Sequence, residues 1–334
     1  MRRELVWAGV IGISFGLIIA FGAWRIRSSV VSKSGPVPTA TPQNGVEKSK
    51  ITIDKPKNFD VVIASPMTVS GITKPLTWVV ISAEKIDYLT QSASDGSFSL
   101  DIELVAGINH IKATSINAQG NTSSQEILAV YSTSFREDTP EVSGGAKDTD
   151  VDKAVALKVA QAQKPPKAYI GTITDIMDST IQIKSVDSQI QQIATNKFDI
   201  TVVNTKGGGS KTVKLTDIAI GDFVVAMGYI DGNDVLDAQR ILITTASSGS
   251  EINISMQKVD SVAKKSLTLT PAAGGEILTI TPDKDTQIKS FSDGKTKNIK
   301  ITDISESDLM IMVSDTTGTP AISRSLFYLE PKEE

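Results

Sequence analysis

The sequence predicts a mainly β protein: an N-terminal transmembrane helix, then a β-sandwich, then two tandem small antiparallel β-barrels. Three observations carry this expectation. Residues 5–24, LVWAGVIGISFGLIIAFGAW, form a run without a charge. Beyond residue 50, short runs rich in Val, Ile and Thr alternate with clusters of Gly, Pro, Asn and Asp, the punctuation of an all-β chain. The C-terminal half matches itself at a constant offset, the mark of a duplicated unit.

The first element is the apolar run. At 1.5 Å per helical residue, about 20 residues span roughly 30 Å of hydrocarbon. Trp7 and Trp24 stand near its ends, where indole rings favour the membrane interface, and Arg2, Arg3, Arg25 and Arg27 bracket it. A cleaved signal peptide is the rival reading. The run is long for that role, and Trp24-Arg25-Ile26-Arg27 follows where small residues would define a cleavage site. The flanking arginines are balanced, so orientation rests on the modules that follow: residues 1–4 as a short cytoplasmic tail and the body outside. Ala8, Gly12, Gly16 and Ala20 form a small-xxx-small ladder, either a self-association face for a homodimer or the ordinary small residues of a membrane span.

Residues 25–50 follow as a stalk, small and polar, with Pro36, Pro38 and Pro42 interrupting any hydrophobic period. Residues 51–134 then carry strands expected at 51–53, 61–63, 67–72, 78–83, 97–104, 107–116 and 125–131, with turn signals at Ser94-Asp95-Gly96-Ser97 and around Gly120. Seven strands suit two packed sheets. Thr68-Val69-Ser70-Gly71, Asp95-Gly96-Ser97-Phe98, Gly107-Ile108-Asn109 and Gly120-Asn121 in this succession resemble the bacterial immunoglobulin-like accessory modules of surface proteins and carbohydrate-active enzymes. The resemblance covers roughly a quarter of the chain, judged against the usual module size, and implies an Ig-like sandwich with a spacer or adhesion role. Residues 135–167, rich in Asp, Glu, Gly and Ala and ending in Pro165-Pro166, read as a linker with a short helix near 151–163.

The repeat defines the rest. Thr172-Ile173-Thr174-Asp175-Ile176 matches Lys258-Val259-Asp260-Ser261-Val262, and Val213-Lys214-Leu215-Thr216-Asp217-Ile218 matches Ile299-Lys300-Ile301-Thr302-Asp303-Ile304 in the same register. Copy 1 occupies 168–247 and copy 2 occupies 251–330, each with five or six alternating strands that a small closed barrel would relieve of open edges. Gly171-Thr172-Ile173, Ile218-Ala219-Ile220-Gly221-Asp222 and Asp237-Ala238-Gln239-Arg240-Ile241 resemble a widespread bacterial family of uncharacterised small OB-like barrels. That resemblance implies a fold and no agreed function. Copy 2 departs from it where Ser307 replaces Gly221 and Ser314 replaces Gly228.

Chemistry is sparse. The net charge is −4, with Lys and Arg unclustered, so nucleic acid is not an expected partner. The absence of cysteine removes disulfides, thiolate zinc sites, thiol nucleophiles and lipid-modified cysteine. The sole histidine, His110, alternates with Ile111 and is expected on the wet face of its strand, without a catalytic role. Lys206-Gly207-Gly208-Gly209-Ser210-Lys211-Thr212 and Gly294-Lys295-Thr296 fall short of a phosphate loop and read as hairpin turns. Asp217, Asp222, Asp303 and Asp308 precede hydrophobic strands and are expected to cap local backbone. Asp95, Asn117 and Asn121 offer oxygens for calcium, without EF-hand spacing. No catalytic, cofactor-binding or metal residues are assigned.

The expected protein is thus a non-enzymatic structural or adhesive surface protein of the bacterial cytoplasmic membrane, body outside, presenting β modules to an envelope protein or cell-wall glycan. The alternative is an extracytoplasmic sensor or an accessory subunit of an envelope complex.

Overall fold

Alternation of apolar and polar residues sets most strands here, and unbroken apolar runs mark the few that are buried on both faces. The computed structural model describes residues 50–135, 165–197, 199–246 and 248–330. The expected anchor at 5–24 with its Ala8, Gly12, Gly16 and Ala20 face, the stalk up to residue 49 and the helix near 151–163 lie outside these residues. Among the described residues no helix is long and apolar enough to cross a membrane. The protein is mainly β.

The first module has eight strands: β1 (Thr52–Lys55), β2 (Asp60–Val62), β3 (Met67–Ile72), β4 (Trp78–Ser82), β5 (Asp87–Gln91), β6 (Ser97–Ile102), β7 (Gly107–Ile116) and β8 (Thr122–Tyr131). Strand β5 is one more than the sequence led us to expect, because it opens on Asp87, a residue type depleted in strands. The order β1-β3-β6 makes one sheet, and β2-β8-β7-β4-β5 makes the other. Between them lies a core that includes Ile53, Val69, Val79, Ile81, Phe98, Ile102, Ile111 and Ile127.

Copy 1 contains β9 (Lys167–Met177), β10 (Thr180–Ser185), β11 (Ile190–Ala194), β12 (Thr201–Asn204), β13 (Lys211–Val213), β14 (Phe223–Ile230) and β15 (Val235–Thr244), with a 3-10 turn at Leu215–Asp217. Copy 2 repeats the same succession: β16 (Ile252–Val262), β17 (Leu267–Pro271), β18 (Leu278–Ile280), β19 (Gln287–Ser292), β20 (Lys295–Asn298), a 3-10 turn at Ile301–Asp303, β21 (Leu309–Asp315) and β22 (Ile322–Leu329). The interiors correspond too: Ile173, Ile181, Ile183, Ile218 and Val224 fill copy 1, where Val259, Leu267, Leu269, Ile304 and Met310 fill copy 2.

Pairing in copy 1 returns to its start. Strand β9 pairs with β10 and β14, β10 with β11, and β15 with both β14 and β11. The β11–β15 contact is parallel, so the all-antiparallel expectation is corrected: a strand that returns from the far side of the unit meets β11 running the same way. In copy 2 the corresponding contact is missing, and β18 ends the sheet order β18-β17-β16-β21-β22-β19-β20. The strand itself keeps its inward residue: Ile280 stands opposite Leu267 as Ile193 stands opposite Ile181, and each packs on the core of its own copy.

The two copies do not hang from the sandwich as beads. Both dock on the outer face of the β2-β8-β7-β4-β5 sheet, each through the same surface. Ala168, Ile170, Val225 and Met227 of copy 1 pack on Val61, Ile108, Leu128 and Val130. The corresponding Ile254, Met256, Ile311 and Val313 of copy 2 pack on Trp78, Val80, Leu89 and Ile116. Double-sided burial explains sequences such as FVVAMGYI in β14 and WVVIS in β4, whose alternation is erased.

A buried ion pair locks the copy 2 junction. The Asp87 side chain, 2% exposed, lies 3.2 Å from Arg324 Nη2. Ser325 Oγ donates to its other oxygen at 2.7 Å, and Arg324 Nη2 donates to the Ala83 carbonyl at 2.7 Å. Gly120, at φ +77°, sits under the Ala272–Ala273 backbone so closely that an added Cβ would lie 3.0 Å from the Ala273 nitrogen.

Two outcomes follow from this packing. Asp87→Ala would strand the Arg324 guanidinium without a counter-charge and is expected to cost about 3 kcal/mol; Asp87→Leu combined with Arg324→Met would recover most of it, both read by urea unfolding. Ser307 keeps the left-handed backbone of Gly221, with φ +73° against +92°, and its amide bonds to Val259 as that of Gly221 bonds to Ile173. Ser307→Gly is therefore expected to stabilise the protein by about 1 kcal/mol, seen as a higher urea midpoint.

Candidate functional site

The outer face of β7 runs Ile108, His110, Lys112, Thr114, Ile116. Its ends lie under the two copies, and its middle lies under the chain that joins them. Lys112 Nζ donates to the Ile252 carbonyl at 2.6 Å. Gly249 passes over the His110 ring, where a Cβ would come within 2.5 Å of Nδ1. His110 is therefore not on a wet face: its side chain is 20% exposed, 3.6 Å from Glu126. Strand parity put it correctly opposite Ile111, but parity says nothing of what covers a face.

The other expected polar residues are spent on local backbone. Asp217 Oδ2 accepts from the Lys214 amide and Asp303 Oδ2 from the Lys300 amide, both at 2.9 Å. Asp222 and Asp308 accept from Ala219 and Ser305 in the same manner. Burial opposes the charge of Asp222, but hydrogen bonds from Lys206 and Ala219 outweigh it and hold the carboxyl below its ordinary range. Asp95 is held low chiefly by the Ser97 hydroxyl and amide, and Asn117 Oδ1 accepts from the Gln119 and Asn121 amides. Among the described residues no three His, Asp or Glu side chains gather as metal ligands. Residues 205–210 connect the β12–β13 hairpin, and 293–294 the β19–β20 hairpin.

A site that the sequence did not disclose forms where copy 1 meets the sandwich. Strand β2 reaches β9 through the Asp60–Lys167 pairing, reinforced by a 2.7 Å ion pair between the same side chains and by the Ala168 amide on the Phe59 carbonyl at 2.8 Å. This junction holds Phe59 at φ +64°, a conformation costly for a bulky side chain and maintained here by tertiary packing.

Beside it opens a cleft of about 640 Å³, lined by Phe59, Tyr169, Asn58, Gln191, Gln192 and Asn233, with Ile190, Ile230 and Asp234 completing the wall. Tyr169 is fixed at its base, its hydroxyl donating to the Asp234 carbonyl at 2.7 Å; burial first, then Asp234 and Asp231, push the phenol above its ordinary range. Asp234 itself turns at φ +59°. The residues come from four separated stretches, so no spacing in the sequence marks them. The arrangement offers a ring, apolar walls and several planar amides that both donate and accept. It contains no nucleophile–base pair.

No family model matches the chain, and no curated protein matches it. Among solved structures, it is similar to a multidomain protein with nucleic acid binding domains from Streptococcus pneumoniae TIGR4, at 14% identity and a TM-score of 0.14, covering 50% of this chain and 46% of that one. It is also similar to a structure concerned with host cell surface retention of a 1.5-MDa bacterial ice-binding adhesin, at 13% identity and a TM-score of 0.20, over 85% of this chain and 100% of the other. A third is a Ca2+-stabilized adhesin of an ice-binding Antarctic bacterium, at 16% identity and a TM-score of 0.20, over 85% and 75%. Likenesses of this strength carry no argument about fold or function.

Proposed function

We propose that this chain is a non-enzymatic structural or adhesive protein of the bacterial surface, anchored by residues 5–24 with its body outside the cytoplasm, that holds a glycan polymer of the cell envelope. In this reading the first module is an Ig-like spacer and the repeats are OB-like barrels, copy 1 closed and copy 2 opened at one seam. The observation that carries the reading is the amide-lined cleft beside Phe59 and Tyr169. Sugars present alternating hydroxyls and apolar C–H faces, which amides and an aromatic ring complement. A polymer held under load also needs a receptor that does not flex, and both docked faces supply stiffness.

A second reading, an accessory subunit of an envelope complex, draws on a different feature. At the open seam of copy 2, Ile277, Leu278 and Ile322 are 65%, 38% and 57% exposed beside the unpaired edge of β18. Such an edge suits a protein strand better than a sugar. A sensor would be a variant of this second reading.

Two experiments separate these. Full-length protein is passed over immobilised envelope polysaccharides, with Gln192→Ala combined with Asn233→Ala as the comparison; retention is expected to drop at least tenfold with the melting temperature unchanged. No retention of the wild type, together with a stoichiometric protein co-purifying from solubilised membranes, would replace the glycan reading by the subunit reading. For orientation, protease added to intact cells is expected to degrade the body while a cytosolic control survives; a protected body would refute the outward topology.

A further inference from the structure

Copy 1 faces the sandwich with a positive charge that nothing described on the sandwich answers. Arg240 on β15 pairs across the strand with Met227. The corresponding pair in copy 2 is Val313 with Ser325, so Arg240 occupies the position of Ser325, next to that of Arg324. In copy 2 these positions meet Asp87: Ser325 Oγ lies 2.7 Å from one carboxylate oxygen and Arg324 Nη2 lies 3.2 Å from the other. In copy 1 the sandwich presents Ile108, Tyr131 and Ser132 instead. The Arg240 Nε is buried without a hydrogen-bond partner, and burial alone, with no carboxylate set against it, lowers the guanidinium's hold on its proton.

The charge borders open space. A cleft of about 420 Å³ lies over Arg240, with Ile108, Val225 and Leu242 as apolar floor. Its rim carries the hydroxyls of Tyr131, Ser132, Ser134, Thr205, Ser210 and Thr244 and no acidic side chain. The Arg240 side chain is half-buried, with its Nε shielded and unpartnered, and its planar fork matches a carboxylate with two parallel hydrogen bonds. Hydroxyls that both donate and accept suit ring hydroxyls.

We propose that this cleft is a binding site for a uronate, a sugar ring bearing a carboxylate, with Arg240 receiving the carboxylate and the rim hydroxyls receiving the ring. Copy 2 provides the internal precedent, since there the matching position meets a carboxylate supplied by the chain. The site is separate from the amide-lined cleft, and its failure would leave that reading standing.

The test is calorimetric titration of the full chain in detergent with digalacturonate, neutral galactobiose and an Asp-Asp dipeptide. The wild type is expected to bind digalacturonate at least tenfold more tightly than galactobiose, weakening as salt rises. Arg240→Met is expected to lose that preference while melting near the wild-type temperature, since the half-buried side chain gives up no ion pair. An unchanged preference in Arg240→Met, equal affinity of the wild type for the charged and neutral disaccharides, or tighter binding of the dipeptide would each overturn the proposal. The wild-type comparison decides it even if the variant fails to fold.

Discussion

The arrangement depends on one constraint: the β2-β8-β7-β4-β5 sheet is buried on both faces. Its inner face closes the sandwich core through Val79 and Ile81, and between them Val80 points the other way, into copy 2. A sandwich sheet usually leaves its outer face to water and shows it as polar alternation. Here that face carries apolar residues at each end, under the two copies, and a polar middle of His110 and Lys112 under the joining chain. The copies thereby share a common platform, and the clefts open at their margins.

Duplication made this economical. One docking surface, built from the first, sixth and seventh strands of each copy, serves twice on one sheet. The copies then diverged where they are not held alike. Copy 1 closes its pairing through the β11–β15 contact, whereas copy 2 leaves β18 at an edge. Copy 2 spends its charge on Asp87, and copy 1 leaves Arg240 facing open space. The differences lie at the edges of the units rather than in their cores.

Much of this was legible in the sequence. Turn aspartates and interior isoleucines recur at a fixed spacing, because each copy must cap the same turns and fill the same interior; the repeat and its borders followed from them. Period two located most strands of the first module but not β5, whose opening Asp87 reads as a turn until Arg324, far along the chain, accounts for it, and each copy has seven strands where five or six were expected. The closed pairing through a parallel β11–β15 contact was not legible, since strand direction leaves no trace in alternation. Nor were the clefts. Tyr169, Gln192 and Asn233 meet through the strand pairing of copy 1 and Asn58 joins them only through docking, and the apolar runs of β4, β14 and β21 do not say what lies against them.

Small-angle X-ray scattering of the detergent-solubilised full chain, compared with its Val80→Asp variant, tests the docking most directly. Val80 belongs to the copy 2 junction and not to the sandwich core, so a charge there should release copy 2 while the sandwich stays folded by circular dichroism. The account predicts a compact wild type and a larger radius of gyration for the variant. Identical profiles, or a wild type that already scatters as independently tumbling modules, would contradict it.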